Sequence, residues 1–257
     1  MSREAAADAG HFTTMQVRGG RVQGRDAHLI RLVTASRALY GGDPGKAAMW
    51  DGIRKALRAA GQRGHDCTLR VRVLPPRAGY QSEAAPGSPD AKLRVEVDVG
   101  PPRQPPGSPL RVRTHQGLRA FPQVKHLALD AQHDARARAR EAGFDDALLL
   151  APDGRIGEGT FWNIAFWDGQ AVVWPDAPAL RGVTLQLLSE ALERAGVPQR
   201  REAVSAGALG GLRAAFALNS TGIGDIRAID SHRFPGDPVA GELLRRLLAQ
   251  ALAESAA

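Results

Sequence analysis

The sequence predicts an α+β protein built as two units, and three observations predict it. Two helical periods near the start give way to two stretches of strict alternation, a Pro- and Gly-rich break follows at 100–109, and beyond residue 120 short apolar runs alternate with amphipathic helices. With 257 residues, 43% of them hydrophobic and 24% charged, the chain can bury real cores and lacks the composition of a disordered one.

Taken in order, HLIRLVTASRALY (His28 to Tyr40) puts Leu29, Leu32, Val33, Ser36 and Leu39 on one stripe at helical spacing. KAAMWDGIRKALRAA (Lys46 to Ala60) reads as a second helix, entered through the turn GGDPG. CTLRVRVL (Cys67 to Leu74) and LRVEVDV (Leu93 to Val99) alternate apolar with polar residues, as half-buried antiparallel strands do, and PPRAGYQSEAAPGSPD between them reads as a long loop. In the second part, Gln132 to Ala142 is helical. Strand-like runs follow at Ala147 to Ala151, Thr160 to Trp167 and Ala171 to Trp174, the last two joined by Asp168-Gly169. A helix from Val183 to Ala195 stops at Gly196 with Pro198 beyond it. Short strands at Ala214 to Leu218 and Ile226 to Ile229 precede a terminal helix from Val239 to Ala253. The expected division is a small N-terminal domain over 1–116 and a larger C-terminal one over 117–257.

Composition removes several function classes. A single cysteine, Cys67, excludes a disulfide framework and reads as a small buried hydrophobe. No apolar run approaches the roughly 20 residues needed to span a bilayer. The opening MSREAAADAGHF carries no apolar export segment, so a cytoplasmic protein away from membranes is expected. The formal charge of +7 would suit a nucleic-acid binder. Yet 30 of the 34 cationic residues are arginines spread over the whole chain, and aromatics make up only 5%, which leaves little stacking surface. GGDPGK is one residue short of a phosphate-binding P-loop and has Ala47 where a hydroxyl should follow. No nucleophile elbow, metal-binding histidine pair or dinucleotide fingerprint is present.

With only four lysines (Lys46, Lys55, Lys92 and Lys125), any chemistry that needs a deprotonatable amine has few candidates. Lys125 lies in FPQVKHLAL between apolar neighbours. Desolvation there would lower its pKa and suit it to Schiff-base and proton-transfer work; the alternative is a lysine whose stem lies along the surface. Glu158, 33 residues on in DGRIGEGTFWNIAFW, is either a carboxylate placed beside a heterocyclic nitrogen or a charge at the edge of a turn. Gly182, Val183 and Thr184 at a helix start, the hydroxyls of Ser220 and Thr221, and Arg31 could together bind a phosphate. Each also has an ordinary use, as helix cap, strand-end turn and solvated helix charge.

The ordered segments GGRVQGRDAHLIRL, VKH, GFDDALLLAPDGRIGEGTFWNIAFWDG, LRGVT, NSTGI and AID resemble the class IV aminotransferases, the fold-type IV pyridoxal-phosphate enzymes, from about Phe12 to Asp230. That family includes branched-chain and D-amino-acid aminotransferases and aminodeoxychorismate lyase. The resemblance implies pyridoxal 5'-phosphate between two domains, an amino acid and a 2-oxo acid as substrates, and a homodimer. It makes Lys125 the lysine that carries the cofactor and Glu158 the partner of the pyridine nitrogen. Arg31, Val183, Thr184, Ser220 and Thr221 become the phosphate contacts, and Asn163 a structural bond-maker. Thr13 and Thr14, in HFTTMQV, occupy a region comparable to that of the threonine which the family's lyases set against substrate. Leu185 stands where many relatives carry arginine, and neither Tyr40 nor Tyr80 falls in a matched segment. The expected activity is therefore amino-group transfer, with a lyase reaction as the alternative and a non-catalytic nucleic-acid binder as the rival of another class.

Overall fold

The computed structural model describes residues 3–61, 64–75 and 93–255. Tyr80, Lys92 and the loop expected after Pro75 lie outside them. The described residues divide into two compact units. One falls within Met1–Arg103, Gln123–Ala128 and Ala253–Ala257, the other within Gln104–Pro122 and Leu129–Leu252.

The first unit runs α1 (Arg3–Ala9), β1 (His11–Arg18), β2 (Arg21–Val22), α2 (Arg25–Tyr40), α3 (Lys46–Ala59), β3 (Cys67–Leu74) and β4 (Arg94–Gly100). Its strands form one antiparallel sheet in the order β2-β1-β3-β4. Side chains alternate across a strand, so the register sorts the residues by face. His11, Thr13, Met15 and Val17 share one face with Val73, Val71, Leu69 and Cys67. This face packs on Leu29, Leu32 and Val33 of α2 and on Met49 and Ile53 of α3. Each such fully buried side chain contributes about 1.5–3 kcal/mol relative to exposure, which fixes the register of β1. The opposite face then carries Phe12, Thr14 and Gln16 beside Arg72, Arg70 and Thr68.

The second unit contains β5 (Leu110–Gln116), α4 (Asp130–Glu141), β6 (Asp146–Leu150), β7 (Ile156–Gly159), β8 (Asn163–Trp167), β9 (Val172–Pro175), α5 (Val183–Arg194), β10 (Gln199–Glu202), β11 (Ala214–Asn219), β12 (Gly222–Ile229), β13 (His232–Arg233) and α6 (Pro238–Glu254). The sheet order is β10-β9-β8-β11-β12-β5-β6-β7, with β13 on β12. Alternating residues of β11 feed two cores. Ala215 and Ala217 join Trp162, Ile164, Phe166 and Phe234, while Phe216 and Leu218 pack with Leu188 and Leu192 of α5 and Leu244 and Leu248 of α6.

Two features depart from the division expected at residue 116. Strand β5 is hydrogen-bonded in parallel between β12 and β6, which makes it part of the second unit. Residues 123–128, expected in the C-terminal domain, lie with the first unit because their backbone pairs with the chain at the start of β1. The Phe12 N–H donates to the Lys125 carbonyl at 2.9 Å and the Leu127 N–H to the Gly10 carbonyl at 2.8 Å.

Candidate active site

In the first unit the candidate residues group around Lys125. Val124 and His126 on either side are each 1% exposed, so the backbone is anchored and the half-buried lysine side chain is the one that projects. Its Nζ stands 5.0 Å from the centre of the Phe12 ring, an attractive cation–π placement. The other lysines among the described residues, Lys46 and Lys55, are exposed on α3.

Behind β1 lies a buried polar cluster. His28 and Arg31 are three residues apart on α2 and therefore share a face. Thr13 reaches them from β1; it is fully buried, and its hydroxyl hydrogen-bonds His28 Nδ1 at 2.6 Å while accepting from Arg31 Nη2. The same Arg31 nitrogen lies 3.4 Å from His28 Nδ1. Burial above all, then the charges of Arg31 and Lys125, holds the His28 pKa well below the usual histidine range. His11, bonded to Ser36 at 2.9 Å, is pulled down to about 4 by burial and by Arg31. Both imidazoles are therefore neutral near pH 7, and the positive charge here belongs to Arg31 and Lys125. Such a site attracts an anion.

On the other face of the sheet, the Arg70 guanidinium lies 4.4 Å from the Phe12 ring centre. Burial, with Arg72 beside it, holds its pKa below the usual arginine value. Arg70 Nε and Gln16 Nε2 are buried N–H donors without a hydrogen-bond partner among the described residues. Gln16 turns its oxygen toward Thr68 Oγ1 and the Arg103 N–H, which leaves its amide nitrogen unmatched. Half-buried Thr14 shares this face, whereas the Thr13 hydroxyl is spent in the cluster behind it.

In the second unit Glu158 sits on β7 at 2% exposure, and Arg119, at 3%, donates from Nε to its Oε1 at 3.0 Å. Arg119 Nη2 also donates to the Thr160 carbonyl at 3.2 Å. The Thr160 hydroxyl and the Trp162 indole N–H both donate to Asp146, at 2.7 and 2.9 Å, and Arg136 grips that carboxylate with two nitrogens. Next to the glutamate a side chain at Gly159 would meet the Trp162 ring at 2.0 Å, so only glycine lets that ring pack there.

Helix α5 starts at Gly182 with no side-chain cap, so the first-turn N–H groups from Val183 and Thr184 onward have no intrahelical acceptor. The helix dipole makes that end attractive to an anion. A Cβ at Gly182 would lie 2.1 Å from Asn163 Oδ1, and Asn163 Nδ2 donates to the Leu180 carbonyl at 2.7 Å, so asparagine and glycine together fix how the chain enters the helix. The Thr184 hydroxyl donates to the Asn219 carbonyl at 2.7 Å, which ties the helix start to the turn holding Ser220 and Thr221. Thr221 donates through both its N–H and its hydroxyl to Asn219 Oδ1, at 2.8 and 2.6 Å. The two threonine hydroxyl protons are thus used inside the protein.

Of the sequence-predicted residues, Lys125, Arg31, Thr13 and Thr14 fall in the first unit, where Thr13 joins Arg31 directly. Glu158, Val183, Thr184, Ser220 and Thr221 fall in the second, where the helix start and the 219–222 turn are linked. Sequence reasoning missed His28, Arg70, Gln16, Arg119 and Asp146. The three-residue spacing of His28 and Arg31 was a usable signal; Arg119 and Glu158, 39 residues apart, left none.

Comparison with curated proteins gives no match. Solved structures give several. A hypothetical aminotransferase from Mycobacterium tuberculosis in its PLP-bound form superposes with a TM-score of 0.80 at 23% identity, over 97% of this chain and 91% of that one. A branched-chain aminotransferase from Thermoproteus uzoniensis, solved with norvaline, gives 0.84 at 18%, over 98% and 88%. A putative 4-amino-4-deoxychorismate lyase from Legionella pneumophila gives 0.80 at 18%, over 95% and 91%. These likenesses establish the fold. Residues 10–229 match the family model for amino-transferase class IV, and on that match the chain belongs to the class IV aminotransferases, enzymes that depend on pyridoxal phosphate.

Proposed function

We propose that the protein moves an amino group between an amino acid and a 2-oxo acid, with Lys125 carrying pyridoxal phosphate. The observation that carries this reading is the setting of Lys125: a half-buried amine over Phe12, on an anchored segment whose positive field also includes Arg31. The donor chemistry suits the group, because a guanidinium and an uncapped helix start match a phosphate, and a buried carboxylate suits a pyridine nitrogen. When bound, pyridoxal phosphate supplies an aldehyde for an amine and a ring that accepts electrons. Lys125 would hold it and, once released, move the proton at the substrate α-carbon. Glu158, oriented by Arg119, would keep a proton on the ring nitrogen. Arg31, the N–H groups of Val183 and Thr184, and the Ser220-Thr221 turn would bind phosphate. Arg70 and Gln16, with unmatched buried donors, would take a substrate carboxylate. The homodimer that the family resemblance implies and the cytoplasmic location expected from the lack of an apolar export segment belong to the same reading.

Reducing the holoenzyme with borohydride and mapping the modified peptide tests this. A label on Lys125 that is lost in Lys125→Ala supports it; a label on Lys46, Lys55 or Lys92 refutes it.

One observation favours a lyase reading as well. Tyr40, the only tyrosine among the described residues, spends its hydroxyl on the Ala7 carbonyl at 2.8 Å, whereas Thr14 sits half-buried on the face that carries Arg70. With an amino acid and no acceptor, a transferase releases at most one equivalent of 2-oxo acid per site, and a lyase turns over repeatedly. The nucleic-acid alternative loses support because arginines across the chain are paired with carboxylates, as in Arg37–Asp43, Arg72–Asp98, Arg200–Asp168 and Arg245–Asp225.

A further inference from the structure

Two of the groups that hold Arg31 in the first unit are uncharged, and that choice of partners has consequences. The Thr13 hydroxyl accepts from Arg31 Nη2 and passes its own proton to His28 Nδ1 at 2.6 Å, while the same Nη2 stands 3.4 Å from that ring nitrogen. The chain of donors has one consistent direction: guanidinium to hydroxyl to imidazole. It has His28 accept at Nδ1, the ring nitrogen that faces the Arg31 guanidinium, while burial and the adjacent cations keep the ring neutral. A carboxylate in the place of either group would orient the guanidinium equally well but would cancel its charge toward an incoming anion. A hydroxyl and a neutral imidazole orient it without themselves drawing on that charge. Thr13 comes from β1 and His28 from α2, elements whose apolar residues share one core, and both side chains are buried.

We propose that Thr13 and His28 are positioning residues for Arg31, aligning its guanidinium for the phosphate of the cofactor, so that they govern affinity for the phosphate and for no other part of that molecule. The proposal rests on the function reading above. It also gives Thr13 a role that differs from contact with substrate.

The test compares dissociation constants of apoenzyme for pyridoxal phosphate and for pyridoxal, which lacks the phosphate. Losing an aligned charged hydrogen bond costs about 1.5–3 kcal/mol, or roughly ten- to hundredfold. Thr13→Val and His28→Leu should weaken pyridoxal phosphate by at least about tenfold on that scale and leave pyridoxal within about twofold. Thr13→Ser and His28→Asn, which retain a hydroxyl and an acceptor, should restore most of the difference. In an Arg31→Leu background the two substitutions should add nothing to the ratio, since their effect runs through Arg31. Binding of pyridoxal also reports that a variant is folded. If Thr13→Val and His28→Leu weaken both ligands equally, or neither, the pair is only structural and the proposal fails. If instead the wild-type protein shows no preference for the phosphorylated ligand, or is not captured at Lys125, the function reading itself fails.

Discussion

Arg119 and Glu158 form an ion pair in which neither side chain exceeds 2% exposure, so each is tolerable only because of the other. Removing one member of such a pair strands a buried charge, which costs about 3–5 kcal/mol, whereas replacing both with apolar groups of similar volume can be close to neutral. Arg119→Met should therefore lower the urea midpoint strongly, and Arg119→Met with Glu158→Leu should recover most of the loss. If the single variant unfolds at the wild-type midpoint, Glu158 is not held by Arg119. His11 makes a second statement at this scale. Its pKa falls from an ordinary 6.5 to about 4 through burial and the Arg31 charge. The unfolded chain then binds a proton that the folded chain refuses, so the contribution is full above pH 6.5 and is lost as pH falls toward 4. It reaches about 3 kcal/mol. His11→Gln should flatten the stability profile between pH 6.5 and 4, as urea titrations at a series of pH values would show; an unchanged slope would place the histidine outside the linkage.

Elements differ in how far the sequence reveals them, and the reasons are local. Strand β3 is where alternation places it, residue for residue, because one face of CTLRVRVL meets α2 and α3 and the other meets polar partners. Helix α3 and helix α5 end within one residue of their expected limits, α5 before the stop signal of Gly196 and Pro198. Strands β1, β5 and β10 were not read: β10 is QRRE, with no apolar period, and β5 owes its place to the parallel partners β12 and β6, whose position no local pattern records. Of the candidate site, Lys125 stands out in the sequence because amines are scarce, and the helix start because LRGVT precedes a regular amphipathic run. The Arg119 and Thr13 partnerships depend on tertiary folding and do not stand out. The entry to α5 is the element most open to test. At Gly182 a methyl group would sit 2.1 Å from Asn163 Oδ1, so Gly182→Ala must displace Asn163 and its bond to the Leu180 carbonyl. Overpacking of this kind costs about 1–3 kcal/mol. Thermal unfolding of Gly182→Ala, Asn163→Ala and the double variant should show strong non-additivity, because removing the asparagine side chain removes the clash. Additive losses would mean that the two residues do not meet.

Across the whole molecule, the segment carrying Lys125 is connected in sequence to elements of the second unit on both sides, yet two of its backbone groups bond to the first. The Phe12 N–H to Lys125 carbonyl bond and the Leu127 N–H to Gly10 carbonyl bond set the register of Lys125 against β1, so the height of its amine over the Phe12 ring depends on the fold of the small sheet. Hydrogen exchange can follow this directly, since amides in one cooperative unit open together. Met15, fully buried at the centre of the β1 face that meets α2, is a lever on that unit. Met15→Ala should cost about 2–5 kcal/mol. Exchange at the Leu127 amide should then accelerate in step with that at Phe12, and the yield of borohydride capture at Lys125 should fall under mild denaturant where the wild-type yield is unchanged. A Leu127 amide that kept its wild-type protection while Phe12 lost its own would show that the lysine segment is held by something other than β1.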